Sequence, residues 1–252
     1  MKNPIKLHWA SSKPNFGDYL SPLVVECISG RKVVHSTPGK ADLIAIGSLL
    51  QRVKNHWWTH RTHIWGSGFI EAGKSVRSRH FIHAVRGPRS AARLSSDTRV
   101  YGDPGLLVDR LLDGKVIPKR HRLSVIAHYQ DKDSQELKQL LARHPDANFI
   151  DVFSEPRQVL SAIAASHFVL SSAMHGLIAA DGLGVPNARI VLAGPLRGGE
   201  FKFDDYYRGI GMDPPRHAKV YPDFALEEEI ARYWRPKLNE IKEALVRSFP
   251  DL

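Results

Sequence analysis

The chain has 252 residues, of which 36 are Lys or Arg and 26 are Asp or Glu, giving a formal net charge of +10. A hydrophobic share of 42% and a charged share of 25% are typical of globular proteins and exclude a disordered or fibrous chain. The longest apolar runs, such as Leu160–Ala165, fall far short of the ~20 residues that span a bilayer. Met1–Ala10 lacks the apolar segment of a secretory signal, and the single Cys27 permits no internal disulfide. We therefore expect a soluble cytoplasmic protein.

The excess of basic residues indicates an anionic partner. The Lys and Arg residues are scattered, with no block of five or six, and no zinc-finger, RNA-recognition or basic–heptad motif is present. These absences argue against nucleic acid. An anionic substrate or an acidic membrane surface explains the charge better.

Short apolar runs alternate with helical periodicity along the chain, which is typical of an α/β protein. In the first half, helices are predicted over Asp18–Ser29 and Pro88–Leu94. The predicted strands of this half are Ile5–Trp9, Lys32–Ser36, Leu43–Gly47, His63–Gly66 and Phe81–Arg86.

The second half repeats this alternation, and the two halves meet near Lys115–Arg122. Its predicted strands are Leu123–His128, Phe149–Val152, Phe168–Ser171 and Ala188–Leu192, and its helices are Ser134–Arg143, Pro156–Ser166 and His175–Leu183. A long amphipathic helix, Asp223–Phe249, is expected to close the chain, with a break at Pro236. It would pack back on the first half or dock on a membrane. We predict two Rossmann-like halves with a ligand cleft between them.

Polar residues and glycines follow several predicted strands, where parallel α/β sheets bind their ligands. The segment Asn15–Asp18 (NFGD) is the first, although its residues equally suit a turn and a helix N-cap. In Trp65–Phe69 (WGSGF), Gly66 and Gly68 would allow close backbone approach and aim N–H groups at an anion. This segment is not a dinucleotide fingerprint, because the third glycine is missing.

Arg86 ends a predicted strand just before the helix that begins at Pro88. A guanidinium there could grip a carboxylate or a phosphate with help from the helix N-terminus. A surface ion pair is the alternative, and we expect one for Arg89. The segment Tyr101–Leu106 predicts a tight turn in which Asp103 caps the following helix.

His175 belongs to the segment Ser171–Gly176 (SSAMHG), between a predicted strand and a predicted helix. In the first helical turn the dipole lowers the pKa of an imidazole, which then suits general acid or base catalysis, although a packing role is the alternative. The segment Lys202–Tyr207 (KFDDYY) predicts a solvated helix start, from which Lys202 and Tyr206 could reach a phosphate or a sugar.

Several other chemistries lack their motifs. The chain has no phosphate-binding G-x-x-x-x-G-K-[ST], no H-E-x-x-H and no G-x-S-x-G. We interpret His56, His60 and His63 as surface histidines and predict no metal site.

Taken in order, six segments resemble one family: Asn15–Asp18, Trp65–Phe69, Arg86–Ser90 (RGPRS), Gly102–Leu107 (GDPGLL), Ser171–Gly176 and Lys202–Tyr207. The sequence resembles the polysaccharide pyruvyltransferases over about residues 5–210, and within them the short ketal pyruvate transferases of bacterial exopolysaccharide assembly. The resemblance implies a two-lobed, GT-B-like fold. We expect domains at 1–115 and 116–222 and a C-terminal helix at 223–252.

The resemblance also implies a reaction: transfer of pyruvate from phosphoenolpyruvate to two hydroxyls of a sugar, giving a cyclic ketal, with no further cofactor. The implied acceptor is a polyprenyl-diphosphate-linked oligosaccharide at the inner membrane face. The expected location is thus cytoplasmic and peripheral on an acidic membrane, with no nucleic acid as partner.

By this resemblance Arg86 matches the arginine that binds the anionic end of the donor, and His175 matches the histidine of the donor pocket. Many members carry Arg at the position of Ala173, so phosphate is expected to be held by Ser171, Ser172, Lys202 or backbone N–H groups. The expected catalytic residues are His175 and Arg86; the expected donor-binding residues are Asn15, Gly17, Asp18, Gly66, Ser67, Gly68, Ser171, Ser172, Gly176 and Lys202; the expected acceptor-binding residues are Asp204, Asp205 and Tyr206.

Two other functions stay open at this point. A GT-B-type glycosyltransferase would share the architecture and bind a nucleotide sugar, although no obvious acidic ribose-binding residue is found in the second half. A non-enzymatic anion-binding protein would show no turnover, and if it bound DNA its affinity would fall steeply with salt.

Overall fold

The computed structural model describes residues 3–11, 15–192, 198–214 and 225–252, which form a mixed α/β protein with two parallel sheets. Each strand overlaps a strand predicted from the sequence. The first sheet contains β1 (Ile5–His8), β2 (Val33–His35), β3 (Leu43–Ile44), β4 (His63–Trp65) and β5 (Phe81–Ala84). The second contains β6 (Ser124–Ile126), β7 (Asn148–Phe149), β8 (Val169–Ser171) and β9 (Asn187–Arg189).

The helices connect these strands and cover the sheets. They are α1 (Phe16–Ser29), α2 (Pro88–Arg93), α3 (Gln135–Arg143), α4 (Pro156–Ala164), α5 (Met174–Gly182), α6 (Phe201–Gly209), α7 (Leu226–Arg232) and α8 (Leu238–Arg247). A 3-10 helix, Pro104–Leu112, begins at the predicted cap, where the Asp103 carboxylate accepts the N–H of Gly105 at 2.9 Å.

The C-terminal segment differs from the single long helix expected from the sequence. It forms α7 and α8, because Pro236 between them has no N–H and cannot continue a helix. A single helix is therefore wrong, and the predicted break at Pro236 is confirmed. The expected start at Asp223 lies outside the described residues.

Both sheets change the direction of their winding at one point. The strand order is β2-β1-β3-β4-β5 in the first sheet and β7-β6-β8-β9 in the second. In the first sheet the chain passes from β1 to β2 on one side and then crosses back to β3 on the other side of β1. In the second sheet it passes from β6 to β7 and then crosses back to β8. The switch points therefore lie between β1 and β3 and between β6 and β8. In doubly wound sheets, ligands bind outside the carboxyl ends of the strands at such a switch point. The topology thus marks one candidate edge on each sheet.

One hydrophobic core includes residues from both sheets. Leu7 and Trp65 of the first sheet and Ile126 and Val169 of the second belong to this cluster, together with Leu106 of the 3-10 helix. Two smaller clusters, one centred on each sheet, contain Ile64 and Val125, respectively. Burial on both faces is expected for parallel strands, whose sequences are correspondingly apolar.

Helix α8 packs against elements of the first sheet. The indole N–H of Trp65 donates to the carbonyl oxygen of Leu245 at 2.9 Å, and the ring of Phe249 meets Trp65 edge-on at 4.9 Å. Lys242 pairs with Asp109 at 3.0 Å. The last helix therefore contributes to the core of the first half.

Candidate active site

A cavity of about 320 Å³ lies at the carboxyl ends of the strands that flank both switch points. Trp9 follows β1 and Ile46–Leu49 follows β3, while His128–Gln130 follows β6 and Ala173–Gly176 follows β8. The other lining residues are Ala10, Asn15, Phe16, Gly17, Asp18, Arg52, Ile70, Val152 and Lys202. The cavity is therefore formed by both halves of the chain, at the edge that the strand order marks.

The first predicted segment, Asn15–Asp18, lines the cavity and caps α1. The side chain of Asn15 accepts the N–H of Gly17 at 3.0 Å, and Asp18 accepts the N–H of Asn15 at 3.3 Å. The N–H of Phe16 donates to the carbonyl of Val152 in the second half at 2.7 Å. Burial raises the pKa of the Asp18 carboxyl to about 6. The capping function read from the sequence is confirmed, and the same residues face the cavity.

His175 lies in the first turn of α5, as predicted, and lines the cavity at the end of the preceding strand, β8. Its Nε2 is buried without a hydrogen-bond partner among the described residues. Burial is the main reason why the pKa of the imidazole falls to about 3, and the charges of Lys202, Arg86 and His128 lower it further. The ring is therefore neutral at physiological pH in the ligand-free protein.

Lys202 brings positive charge to the same cavity, and His128 brings a second imidazole. Burial, followed by repulsion from Arg86 and Arg189, lowers the pKa of Lys202 to about 8, although Asp131 opposes this effect. Burial and Lys202 lower the pKa of His128 to about 4. An anion bound here would stabilise the protonated forms of these groups, since opposite charge raises the pKa of a base. The cavity is therefore suited to a small anion.

Arg86 is wholly buried and does not line the cavity, but it contacts Ser48, which does. Its guanidinium donates to Asp205 at 3.1 Å, to the hydroxyl of Ser48 at 2.6 Å and to the carbonyl of Phe69 at 2.5 Å. In this geometry Arg86 joins α6 to the first sheet. The predicted surface ion pair of Arg89 is confirmed, with Asp204 at 2.5 Å.

The segment Gly66–Gly68 is not part of the cavity lining. The N–H of Gly66 donates to the carbonyl of Ala84 at 2.8 Å, and that of Gly68 to the carbonyl of Gly47 at 3.1 Å. The hydroxyl of Ser67 donates to the same Gly47 carbonyl at 2.8 Å. A Cβ at Gly68 would lie 2.4 Å from Cζ of Arg86. These glycines thus make room for close packing, and their amides are occupied by the backbone.

Four other predicted site residues are also buried away from the cavity lining. The hydroxyl of Tyr206 donates to Asp181 at 2.7 Å, and Asp205 accepts the N–H of Ser90 at 2.9 Å. Ser172 donates to Asp131 at 2.5 Å, and Ser171 donates to the carbonyl of Ile126 at 3.0 Å. Asp204, the remaining expected acceptor residue, is half-buried in its pair with Arg89. The structure therefore brings together Asn15, Gly17, Asp18, His175, Gly176 and Lys202, and places the others behind them.

Sequence reasoning did not single out several residues that line the cavity. Ser48 and Arg52 follow β3, and His128, Tyr129 and Gln130 follow β6. A signal was present for His128–Gln130 and Ser48, which come soon after β6 and β3, whereas Arg52 lies further along the connection. What was missing was the strand order, which brings the ends of β3 and β6 to the same place.

Fold and site together define an α/β protein with a cationic cavity at the switch points of two parallel sheets. Residues 3–191 match the polysaccharide pyruvyl transferase family, and the chain belongs to that family. It is 26% identical over 233 residues to the succinoglycan biosynthesis protein ExoV of Rhizobium meliloti, covering 90% of this chain and 72% of that protein. It is 25% identical over 236 residues to an uncharacterised protein of Acanthamoeba polyphaga mimivirus, covering 86% and 78%, respectively.

Membership of the family confirms the resemblance on which the site was predicted. Among the helices of the described residues, none has the length and apolar character needed to cross a membrane.

Proposed function

We propose that the protein transfers pyruvate from phosphoenolpyruvate to a sugar of an exopolysaccharide repeat unit, forming a cyclic ketal and releasing phosphate. The observation that carries this proposal is the convergence of Lys202, His128 and His175 on one cavity. Phosphoenolpyruvate is a compact anion with a carboxylate and a phosphate, so it would complement the basic side chains that line this cavity. Family membership and the succinoglycan relative support the reaction class and the polymer.

Lys202 is the main candidate for holding the donor. Among the residues that the structure describes, it has no carboxylate within ion-pair distance. Its ammonium is buried, and a charge-assisted hydrogen bond to a phosphate is stronger there than in water. In this family Arg is frequent at the position of Ala173, and Lys202 with Arg52 would replace that charge.

His175 would supply the proton for the methylene carbon of the donor. Its imidazole is neutral in the empty site, and the charge of the bound donor would raise its pKa toward neutrality. Proton transfer from a positioned imidazole typically accelerates a reaction by about 10²–10⁴-fold. Binding of the donor would thus favour the protonated form of His175, which is the acid needed to protonate the methylene carbon.

Asp18 is placed to accept the proton of a sugar hydroxyl. Its carboxyl lines the cavity beside α1, and its raised pKa of about 6 leaves it ionised at pH 7 but more basic than an exposed aspartate. The pair Asp18 and His175 therefore combines a base from the first half with an acid from the second.

The chemical steps balance without any further reactant. The methylene carbon gains a proton and becomes a methyl group, while one sugar oxygen bonds to the central carbon. Phosphate leaves with the C–O electron pair, and the second hydroxyl oxygen bonds to the same carbon. The two hydroxyl protons balance the new C–H bond and the released hydrogen phosphate.

The proposal includes a two-lobed, GT-B-like arrangement in which each parallel sheet belongs to one lobe. It also includes a polyprenyl-diphosphate-linked acceptor, so that the protein would work at the cytoplasmic face of an acidic membrane. The net charge of +10 supports such a location.

Thermal unfolding with added ligands tests the donor. Phosphoenolpyruvate at 100 times its Kd should add about 2.7 kcal/mol to the free energy of unfolding, and UDP, GDP and short DNA should add nothing. The shift should be lost in Lys202→Met and kept in Lys138→Met, whose side chain is exposed on α3. A shift with a nucleotide alone would favour a glycosyltransferase, and no shift with either would contradict both activities.

A further inference from the structure

Acidic residues are nearly absent from one stretch of the chain, which leaves its positive charge unbalanced. Residues 43–96 contain nine Lys and Arg residues and a single acidic residue, Glu71, so this stretch carries most of the net charge of +10. Three of the nine have side-chain partners within the protein: Arg86 pairs with Asp205, Arg89 pairs with Asp204 at the surface, and Arg93 lies over the ring of Phe69. Of the other six, Arg61 lies over the ring of Phe81 and Arg79 donates to the carbonyl of His56, but none of the six pairs with a carboxylate among the described residues.

Two adjacent tryptophans project from the same stretch. Trp57 is 82% exposed and Trp58 is 66% exposed, and their rings meet edge-on at 5.5 Å. His56 stacks on Trp58 with ring centroids 4.8 Å apart. Large aromatic side chains left in water at neighbouring positions mark an interaction surface more often than isolated exposed residues do.

The turn that carries the tryptophans is held in place by hydrogen bonds. The hydroxyl of Thr59 donates to the carbonyls of Lys54 and His56 at 2.9 and 2.7 Å. Asn55 donates to the carbonyl of Arg77 at 2.8 Å and accepts the N–H of Arg79 at 2.9 Å. The indoles are therefore presented by a preformed turn that is anchored to the segment 77–79.

Exposed cations are present on both of these segments. Lys54, Arg61 and Arg77 are exposed, and none of them pairs with a carboxylate in the part of the chain that the structure describes. Val76, 52% exposed, adds apolar area beside them. We call this set the tryptophan surface: Lys54, Trp57, Trp58, Arg61, Val76 and Arg77.

We infer that the tryptophan surface docks on the anionic headgroups of a lipid membrane. Indole rings favour the boundary between hydrocarbon and headgroups, because one part of the ring is apolar and the N–H needs a polar partner. Lys and Arg beside them are attracted by anionic lipids, at about fivefold in affinity for each residue near the membrane. The tryptophan surface would thereby be the part of the molecule that contacts the membrane in the proposed function.

This surface is connected directly to the cavity. The connection between β3 and β4 lines the cavity with Leu49 and Arg52 and reaches Trp57 five residues later. A protein docked through this turn would hold the start of the same connection, and with it one wall of the cavity, near the lipid surface. The inference deepens the proposed function, but it concerns lipid binding alone and can be tested without any transfer reaction.

Vesicle co-sedimentation of the full chain tests the inference. Vesicles of phosphatidylglycerol and phosphatidylcholine in equal parts should bind the protein, and pure phosphatidylcholine should bind it much more weakly. Trp57→Ala/Trp58→Ala should weaken binding by about tenfold or more, since two indoles lose their burial. The matched control is Trp234→Ala, which removes an indole that is 64% exposed between α7 and α8, and it should bind as the wild type does.

The contribution of the basic side chains to vesicle binding is tested in the same way. Lys54→Ala/Arg77→Ala should weaken binding by about 25-fold, and Lys138→Ala/Arg143→Ala on α3 should have little effect. Unchanged thermal unfolding should show that each variant is folded. Equal binding by the tryptophan variant and the wild type, equal binding to both kinds of vesicle, or tighter binding to a short DNA duplex than to anionic vesicles would overturn the inference. None of these outcomes depends on whether phosphoenolpyruvate binds.

Discussion

Gly17 and His175 meet across the cavity, and the absence of a side chain at Gly17 leaves the space that the imidazole fills. A Cβ at Gly17 would lie 2.1 Å from Nδ1 and 2.6 Å from Cγ of His175. Gly17 belongs to α1 of the first half and His175 to α5 of the second. Two of the segments on which the family resemblance depends are therefore in direct contact.

Gly17→Ala should displace the imidazole and lower turnover by about 100-fold, because a shift of about 1 Å in a catalytic group has an effect of this size. The fold should survive, since alanine is favoured over glycine inside a helix. The control is Gly39→Ala, where an added Cβ meets nothing within 4 Å. Steady-state kinetics of both variants checks the prediction, and equal turnover in the two would show that the position of the ring is unimportant.

His175→Ala should lower turnover by about 10²–10⁴-fold, because the variant has no acid for the methylene carbon. His167→Ala removes an exposed imidazole and should leave turnover unchanged. Single-turnover kinetics with saturating donor separates this effect from binding. Turnover equal to that of the wild type would remove His175 from the mechanism.

The affinity for phosphoenolpyruvate should fall as the pH rises through about 8. The lowered pKa of Lys202, about 8 in the ligand-free protein, means that the ammonium is mostly neutral at pH 9. If only the protonated form binds the donor, Kd should be about tenfold higher at pH 9 than at pH 7. Titration calorimetry checks this, and Lys202→Met should bind weakly and without the dependence. A constant wild-type Kd over this range would contradict the assignment of Lys202.

The lowered pKa of Lys202 also affects the stability of the ligand-free protein, which should rise with pH whereas the affinity for the donor falls. Because its folded pKa lies below the unfolded value of about 10.4, the unfolded chain binds more protons between about pH 8 and 10.4. The contribution of Lys202 to the free energy of unfolding should therefore rise with pH in this window. Urea titrations should show a smaller rise in Lys202→Met than in the wild type; an equal rise would argue against a lowered pKa.

Asp205→Asn should reduce the free energy of unfolding by about 3–5 kcal/mol, because it leaves the buried charge of Arg86 without its partner. The adjacent Asp204→Asn is the matched control, since its pair with Arg89 is partly exposed and such pairs contribute about 0–1 kcal/mol. Urea unfolding distinguishes the two. Similar losses in both variants would mean that the burial of the Arg86–Asp205 pair has no energetic consequence.

Local sequence patterns predicted the elements of the fold and part of the site. The polar residues after strands led to Asn15–Asp18 and His175, because a strand end can be recognised from a few neighbouring residues. The N-cap of Asn15 and the turn at Asp103 follow equally local rules, and both are present.

Long-range contacts determined the parts of the site that local sequence patterns did not predict. Asp205 was expected to face an acceptor, yet it pairs with Arg86, 119 positions away in the chain. The amides of Gly66 and Gly68 were expected to face an anion, yet they bond to carbonyls that the sheet brings beside them. His128 lines the cavity only because β6 lies at the switch point. Pairings of this kind depend on the fold and leave no local signal.

Transfer of doubly labelled donor tests the central proposal most directly. Phosphoenolpyruvate labelled with ¹⁴C in its carbon skeleton and ³²P in its phosphate would be incubated with the protein and a lipid extract of cells that make the polymer. We expect that ¹⁴C enters the lipid-linked oligosaccharide fraction while an equal amount of ³²P appears as inorganic phosphate. Transfer of both labels together, or no transfer of ¹⁴C by a protein that binds the donor, would contradict the proposal.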